Sequence, residues 1–284
     1  MTAALRKRGL DWLLNGYAGL ALIYLLLPIA VIIVFSFNNP VGRFNFIWNE
    51  FSLEAWKHPF AVQGVQDALK TSIEIAALST LIATALGTLT ALALVRYEFK
   101  GRAPVNFFIF IPLATPEVVL GAALLSQFLN WGTPALGFGT ILIAHVMFNL
   151  SFVVITVRSR LIGFDRSLEE AAQDLGATPW ETFRLVTLPL IMPGVLAAAL
   201  LAFALSIDDF VITNFNSGST ITFPLFIWGA ARVAVPPQIY VIATMIFLVT
   251  VAAMILTVWQ QRRAERMAAV RPDDADVVLE PAPA

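Results

Sequence analysis

RSLEEAAQDLGATPWETFRLVTLPLIMPG, residues 166–194, lies between two long apolar runs and reads as two short helices joined at a glycine. Ser167, with Glu170 three residues later, has the spacing of a capping box, and Gly176 supplies the left-handed residue that ends the first helix. Thr178 caps the second, with Pro179 in its first position and Glu181 three residues after the cap. Phe183, Val186 and Leu188 give that helix apolar surface, and Pro189 and Pro193 are expected to terminate or redirect the chain into the next apolar run. A short helix presenting the small Ala171 and Ala172 suits insertion into a groove on another protein. An amphipathic helix lying on a membrane fits the same residues.

The flanking runs identify the solvent. The 284 residues are 58% hydrophobic and 13% charged, whereas a soluble domain carries roughly 25% charged residues. A helical span needs about 20 mostly apolar residues. Six segments qualify, near residues 16–37, 71–95, 107–129, 137–157, 189–215 and 238–259. Strands of a barrel would alternate and be half as long, so the expected fold is all-α integral membrane with six transmembrane helices. The first run follows Arg6, Lys7 and Arg8 but is longer than a signal-peptide core and has no clear small-x-small cleavage site, so it reads as a retained helix.

Of the 18 Lys and Arg, 14 fall in the N-terminus, the 96–104 loop, the 158–188 loop and the C-terminal tail. The positive-inside rule makes those segments cytoplasmic, with both termini on that side. The expected organisation is a cytoplasmic N-terminus (1–15), a six-helix domain (16–259) with its cytoplasmic loop at 158–188, and a tail (260–284) disordered at its end. The chain has no cysteine, which excludes disulfides, thiolate metal sites and thiol redox chemistry. Its net charge of −1 singles out no class of partner, and no nucleic-acid partner is expected.

Residues 38–70 form the longest outer segment, where Trp48 and Trp56 suit a membrane interface and His58 before Pro59 carries no chemistry. In TALGTLTALAL (84–94), Ala85, Gly87, Ala91 and Ala93 permit close helix packing, and Glu74 near the outer end of that helix reads as solvated. In IPLATPEVVLGAALL (111–125), Pro112 and Pro116 interrupt the helical ladder. Glu117 follows directly, as a site residue or as a buried structural partner. His145 and Asn149 share a helix face and suit interhelical hydrogen bonds better than a zinc site, for which ligands are too few.

Asp208 and Asp209 stand in FALSIDDFVITNF (203–215), beyond the bilayer midplane toward the outer face when counted from Pro193 at about 1.5 Å per residue. Carboxylates at depth cost roughly 2.5–3.5 kcal/mol each on insertion scales, so they face water, protein or a cation path. Adjacent side chains point about 100° apart on a regular helix, so both cannot line one pore unless the helix is broken. Ser206 with Asp209 resembles a capping box at such a restart. One aspartate then serves as a cap or interhelical partner and the other lines a path.

Glu170, Ala171, Ala172, three residues, Gly176, nine residues, Val186, Thr187, Leu188 and Pro189 resemble the EAA motif of ABC importer permeases, with valine for isoleucine as the one departure. The resemblance implies that Glu170, Ala171, Ala172, Gly176, Leu188 and Pro189 belong to the coupling segment that docks on an ATP-binding subunit. The chain lacks a G-x-x-x-x-G-K-[ST] phosphate loop, so ATP and Mg belong to a partner and this chain holds no cofactor or metal of its own. SIDDFVITNFNSG (206–218), LPLIMPGVLAAALLAFALS (188–206), RVAVPPQIYVIATM (232–245) and the Pro116–Glu117 pair together resemble the second permease subunit of spermidine/putrescine importers. That implies a type I ABC importer permease fold, a second related permease subunit, two ATPase subunits, an extracytoplasmic binding protein and a bacterial inner membrane. Asp208, Asp209 and Glu117 would then offset the lost hydration of a polyamine, with Phe210 and Phe215 contacting its ammonium groups. The alternatives are a permease for another small solute, a passive channel, which leaves the docking loop without a purpose, and a membrane-embedded enzyme using paired carboxylates, which would place its acids on separate helices.

Overall fold

The computed structural model describes residues 2–132, 135–163 and 165–269. The helices are α1 (Thr2–Phe35), α2 (Glu54–Lys57), α3 (Val65–Arg96), α4 (Arg102–Ala114), α5 (Glu117–Asn130) and α6 (Phe138–Ile162). They continue as α7 (Ser167–Asp174), α8 (Pro179–Thr182), a π turn (Phe183–Thr187), α9 (Leu188–Ile207), α10 (Val211–Asn216), α11 (Phe223–Val233) and α12 (Pro237–Ala269). The expected disorder of the last residues concerns 270–284, which lie outside the described residues.

Two compact units divide the chain: residues 63–232, and residues 1–62 with 233 onward. In the first, α3 packs on α6 and α9, and α4 on α6. The shared core contains Ala83, Ala91, Leu94, Val153, Val154, Val157, Ile191 and Ala202, all at most 1% exposed. A Cβ at Gly87 would sit 2.6 Å from Val153 Cγ1, so the α3–α6 contact requires a glycine there. The face in use runs Ala83, Gly87, Ala91 at intervals of four. Ala85 is exposed and Ala93 only half-buried, because both lie off that face. As expected, Glu74 is solvated, half-exposed and 3.8 Å from Lys70.

In the second unit, α1 and α12 pack together, and the segment that follows α1 is tied down by asparagines rather than by covalent staples. Asn38 Nδ2 donates to Asn45 Oδ1 (2.6 Å) and to the Ile47 carbonyl (2.8 Å), while Asn45 Nδ2 donates to the Phe35 carbonyl that ends α1 (2.8 Å). Trp56 stacks on Phe37 at 5.2 Å and donates from Nε1 to Ser36. His58 is exposed beside Glu54.

Four stretches are long and apolar enough to cross a membrane unbroken: Leu13–Phe35, Val65–Arg96, Phe138–Ile162 and Pro179–Ile207. The expected third span is instead α4 and α5, bent by 113°. Pro116 makes the break, holding Thr115 in extended backbone (φ −86°, ψ 131°), whereas Pro112 stays inside α4. The expected fifth span stops at Ile207, and the chain restarts as α10. α11 is a helix absent from the expected six, being only 11 residues long. The expected sixth span falls in α12, which continues to Ala269 and whose apolar part, Pro237–Ala252, is shorter than a full span, so four or, with the bent pair, five spans stand where six were expected among the described residues.

Pro189 and Pro193 do not terminate the helix. It runs from Pro179 to Ile207 as one piece of 29 residues. For Pro189 the π turn just before it explains this, since its wider ring, with Leu188 N bonded to the Phe183 carbonyl, relieves the clash of a proline ring with the carbonyl four residues back, whereas Pro193 is held inside α9. The connection between the fourth and fifth spans is therefore shorter than 158–188, because α6 extends to Ile162 and the second short helix has merged with the fifth span.

Candidate functional site

In the connection between α6 and α9, α7 ends in a Schellman turn. Gly176 has φ +89°, Gly176 N donates to the Gln173 carbonyl (2.9 Å) and Ala177 N to the Ala172 carbonyl (3.1 Å). Thr178 and Glu181 form the expected capping box of α8, each bonding the other's backbone N–H. The start of α7 differs from expectation: Asp165 Oδ1, not Ser167, takes up an orphan amide, that of Ser167, at 2.9 Å. This bond holds the Asp165 carboxyl below the usual carboxylate range.

α7 exposes apolar residues and buries an acid. Leu168, Ala171 and Leu175, at helical spacing, are exposed, Leu175 by 90%, while Glu169 on the opposite face is buried. Glu169 pairs with Arg96 at the end of α3 and accepts a hydrogen bond from Thr187 Oγ1 in the π turn. Arg166 adds a bond to the Val95 carbonyl at 3.2 Å. One carboxylate thus fastens α7 to α3 and to the head of the fifth span. Of the motif residues, Glu170, Ala171, Gly176 and Pro189 are exposed, and Ala172 and Leu188 are half-buried. Glu169, Arg96 and Thr187 escaped sequence reasoning, since a charged residue on a short helix between apolar runs ordinarily faces water. The available signal was the apolar stripe itself, which leaves Glu169 on the inward side.

At the other end of α9 the helix breaks at Asp208 and Asp209, and the two carboxylates part company. Asp208 is exposed. The Asp209 side chain is only 6% exposed and caps α10, accepting from Thr213 N (2.7 Å), Thr213 Oγ1 (2.7 Å) and Ile212 N (3.3 Å). The restart is therefore capped by Asp209, and Ser206 is not its cap. Ser206 instead faces inward, where its hydroxyl lies 2.6 Å from His145 Nδ1 and 3.0 Å from Ser79 Oγ. His145 Nε2 is 2.9 Å from Thr213 Oγ1 and 3.2 Å from Asp209 Oδ2.

The proton count of this network is constrained. Thr213 spends its hydroxyl proton on Asp209, so it accepts from His145, which must carry a proton on Nε2. With a neutral imidazole, Ser79 donates to Ser206 and Ser206 to Nδ1. With an imidazolium, the order reverses and ends on the Ala76 carbonyl, 3.2 Å from Ser79 Oγ. Either way the buried polar groups are paired across α3, α6, α9 and α10. The expected interhelical role of His145 is what the structure shows. For Asn149 it is not: among the described residues its buried amide has no partner.

Glu117 opens α5 at the 113° bend and is exposed, which excludes a buried structural role within this chain. No hydrogen bond or ion pair joins it to either aspartate among the described residues. The two broken elements are linked by packing, since α5 lies on α10 and a Cβ at Gly121 would be 2.8 Å from Phe215 Cδ2. Phe215, half-buried, therefore packs in the α5–α10 contact.

Residues 83–266, which contain both α7 and the break at Asp208, match the family model described as the binding-protein-dependent transport system inner membrane component. The chain belongs to this family. It is a multi-pass inner-membrane permease, and the membrane-enzyme alternative falls away. This permease is 36% identical over 247 residues to the spermidine/putrescine transport system permease protein PotC of Haemophilus influenzae, covering 87% of this chain and 95% of that one. It is 38% identical over 233 residues to PotC of Escherichia coli K12, covering 82% and 87%. The putrescine transport system permease protein PotI of the same strain is 38% identical over 230 residues, with 78% and 81% covered.

Solved structures show the fold. A bacterial ABC transporter that imports the acidic polysaccharide alginate superposes with a TM-score of 0.67 at 16% identity, covering 88% of this permease and 96% of that chain. The alginate transporter in complex with a periplasmic protein bound to an alginate pentasaccharide gives 0.62 at 19%, covering 90% and 95%. The architecture is that of a type I ABC importer permease.

Proposed function

We propose that this permease imports small polycationic amines, putrescine and spermidine, and that Asp208 meets the cation in the path. The observation that carries the ligand class is the division of labour at the break: Asp209 is consumed by capping and by His145, while Asp208, its neighbour, remains exposed. A carboxylate exposed at a broken membrane helix suits a cation and opposes an anion. The polyamine relatives, aligned over about four-fifths of this chain, support the same class. Glu117, exposed at the second break, supplies a further counter-charge, and Asp209 holds the break in shape.

In this reading the permease works with a second related permease, two ATP-binding subunits carrying ATP and Mg, and an extracytoplasmic binding protein. The exposed apolar stripe of α7, with Glu170, Ala171, Ala172 and Gly176, docks on an ATP-binding subunit, and Leu188 and Pro189 carry the motion into α9. The stripe favours a protein groove because Glu169 already faces the bundle. Residues 1–15, the α7 connection and residues 260–284 lie in the cytoplasm, where the cationic bias of the sequence puts them.

The test is uptake of labelled putrescine and spermidine by cells lacking this permease, with and without its gene restored. Restored ATP-dependent uptake, lowered by Asp208→Asn with the complex still assembled, supports the reading. An assembled complex that restores neither uptake refutes the substrate.

A further inference from the structure

α11 carries an aromatic and cationic cluster that the transport reading leaves unused. Phe210, directly after the two aspartates, meets Trp228 with ring centroids 5.1 Å apart and planes at 48°. One turn further along α11, the guanidinium carbon of Arg232 lies 4.9 Å from the centroid of the same Trp228 ring. Trp228 is half exposed and Arg232 exposed. Trp228 is therefore a cation-holding face, and in this conformation the chain's own arginine occupies it. Tryptophan binds cations best among the aromatic residues, through the negative face of its ring quadrupole.

The geometry points to Trp228 with Phe210 as an alkylammonium subsite of the path, with Arg232 as a tethered cation that an incoming ammonium displaces. The inference rests on the polyamine reading and extends it from a carboxylate to a paired recognition site. Asp208 stands two residues from Phe210, so a carboxylate and an aromatic face belong to one short stretch of backbone. A polyamine spaces its ammonium groups along a flexible methylene chain, so one can pair with Asp208 while the next lies on Trp228. Among the described residues Arg232 makes no ion pair, so releasing it breaks a ring contact and no carboxylate bond. Its charge then returns to water on a long side chain. The competing explanation is an arginine at a helix C-terminus complementing the dipole, for which Trp228 is only a surface to lie on.

The two explanations separate in transport kinetics of the full complex, measured as KM and maximal rate for labelled putrescine and spermidine, with assembly checked by co-purification of the ATP-binding subunit. Trp228→Leu, which keeps bulk and removes the ring, is expected to raise KM by about two- to thirty-fold, the range a cation–π contact carries. Trp228→Phe should stay near wild type. Arg232→Gln should lower KM, and should lose that effect when combined with Trp228→Leu, because the competitor acts only through the ring. An unmoved KM in Trp228→Leu overturns the subsite, as does an equal Arg232→Gln effect in both backgrounds, which would make the arginine a repelling charge and no more. Should Trp228→Leu fail to assemble, an unchanged KM in the surface variant Arg232→Gln overturns the subsite. A wild-type complex that carries neither polyamine refutes the substrate reading and the subsite with it, whereas polyamine uptake indifferent to Trp228 refutes the subsite alone.

Discussion

Replacing Glu169 by alanine should detach the α7 segment from the bundle. The carboxylate is 11% exposed and its Arg96 partner 24%, and its oxygen is also the acceptor for the buried Thr187 hydroxyl. Removing one member of a buried pair costs about 3–5 kcal/mol, chiefly because the other charge is left without compensation. Partial exposure lets water reach Arg96 and places the expected loss at the lower end, about 3 kcal/mol. Thr187 recovers little, since its alternative acceptor, the Thr182 carbonyl, is 3.5 Å away. Glu169→Gln keeps an oxygen for Thr187 and loses only the charge, so it should cost about half as much. The assay is hydrogen exchange across 165–178 in the purified complex, together with a double-mutant cycle of Glu169→Ala and Arg96→Ala. Exchange in α7 should rise by about two orders of magnitude, and the two substitutions should be non-additive by at least 1 kcal/mol. Additive effects with unchanged exchange would refute the brace.

Four further outcomes are expected. Gly176→Val, at φ +89° with open space around the Cβ position, should cost about 1–2 kcal/mol by backbone strain alone and lower uptake per ATP hydrolysed, read by parallel uptake and ATPase assays; normal coupling would count against the docking role. Gly87→Ala places a Cβ 2.6 Å from Val153 and should destabilise the α3–α6 contact by about 1–3 kcal/mol, measured as a lower unfolding temperature of the complex. Asp209→Ala strands two amides and the Thr213 hydroxyl, so it should reduce the yield of assembled complex, whereas Asp208→Asn should spare assembly and reduce uptake; reversed phenotypes would invalidate the division of roles. Asp165 has a depressed folded pKa, so its contribution to α7 is complete above the ordinary aspartate range and disappears as pH falls through the lowered value; Asp165→Asn should abolish this acid sensitivity in the exchange of α7.

Composition and run length determined a helical membrane protein, because the cost of an unpaired backbone or a charge in hydrocarbon acts on each segment whatever its neighbours. Local signals were equally legible: the left-handed Gly176, the Thr178–Glu181 box and the break at Pro116 are set by residues within a turn of each other. The continuation of the helix through Pro189 was not, because a π turn just ahead of it relieves the clash that normally ends one. Nor was the choice of which of two adjacent aspartates caps the restart and which stays exposed. Identical in type and next to each other in sequence, they differ only in what the fold brings to them: Asp209 meets His145, 64 residues away in sequence, and Asp208 remains outside. The sequence alone likewise left Glu169 as one more surface acid, until packing put Arg96, 73 residues distant, against it. What local chemistry dictates could be read along the chain, and which of two like charges is buried and which is free was decided by partners that only tertiary packing supplies.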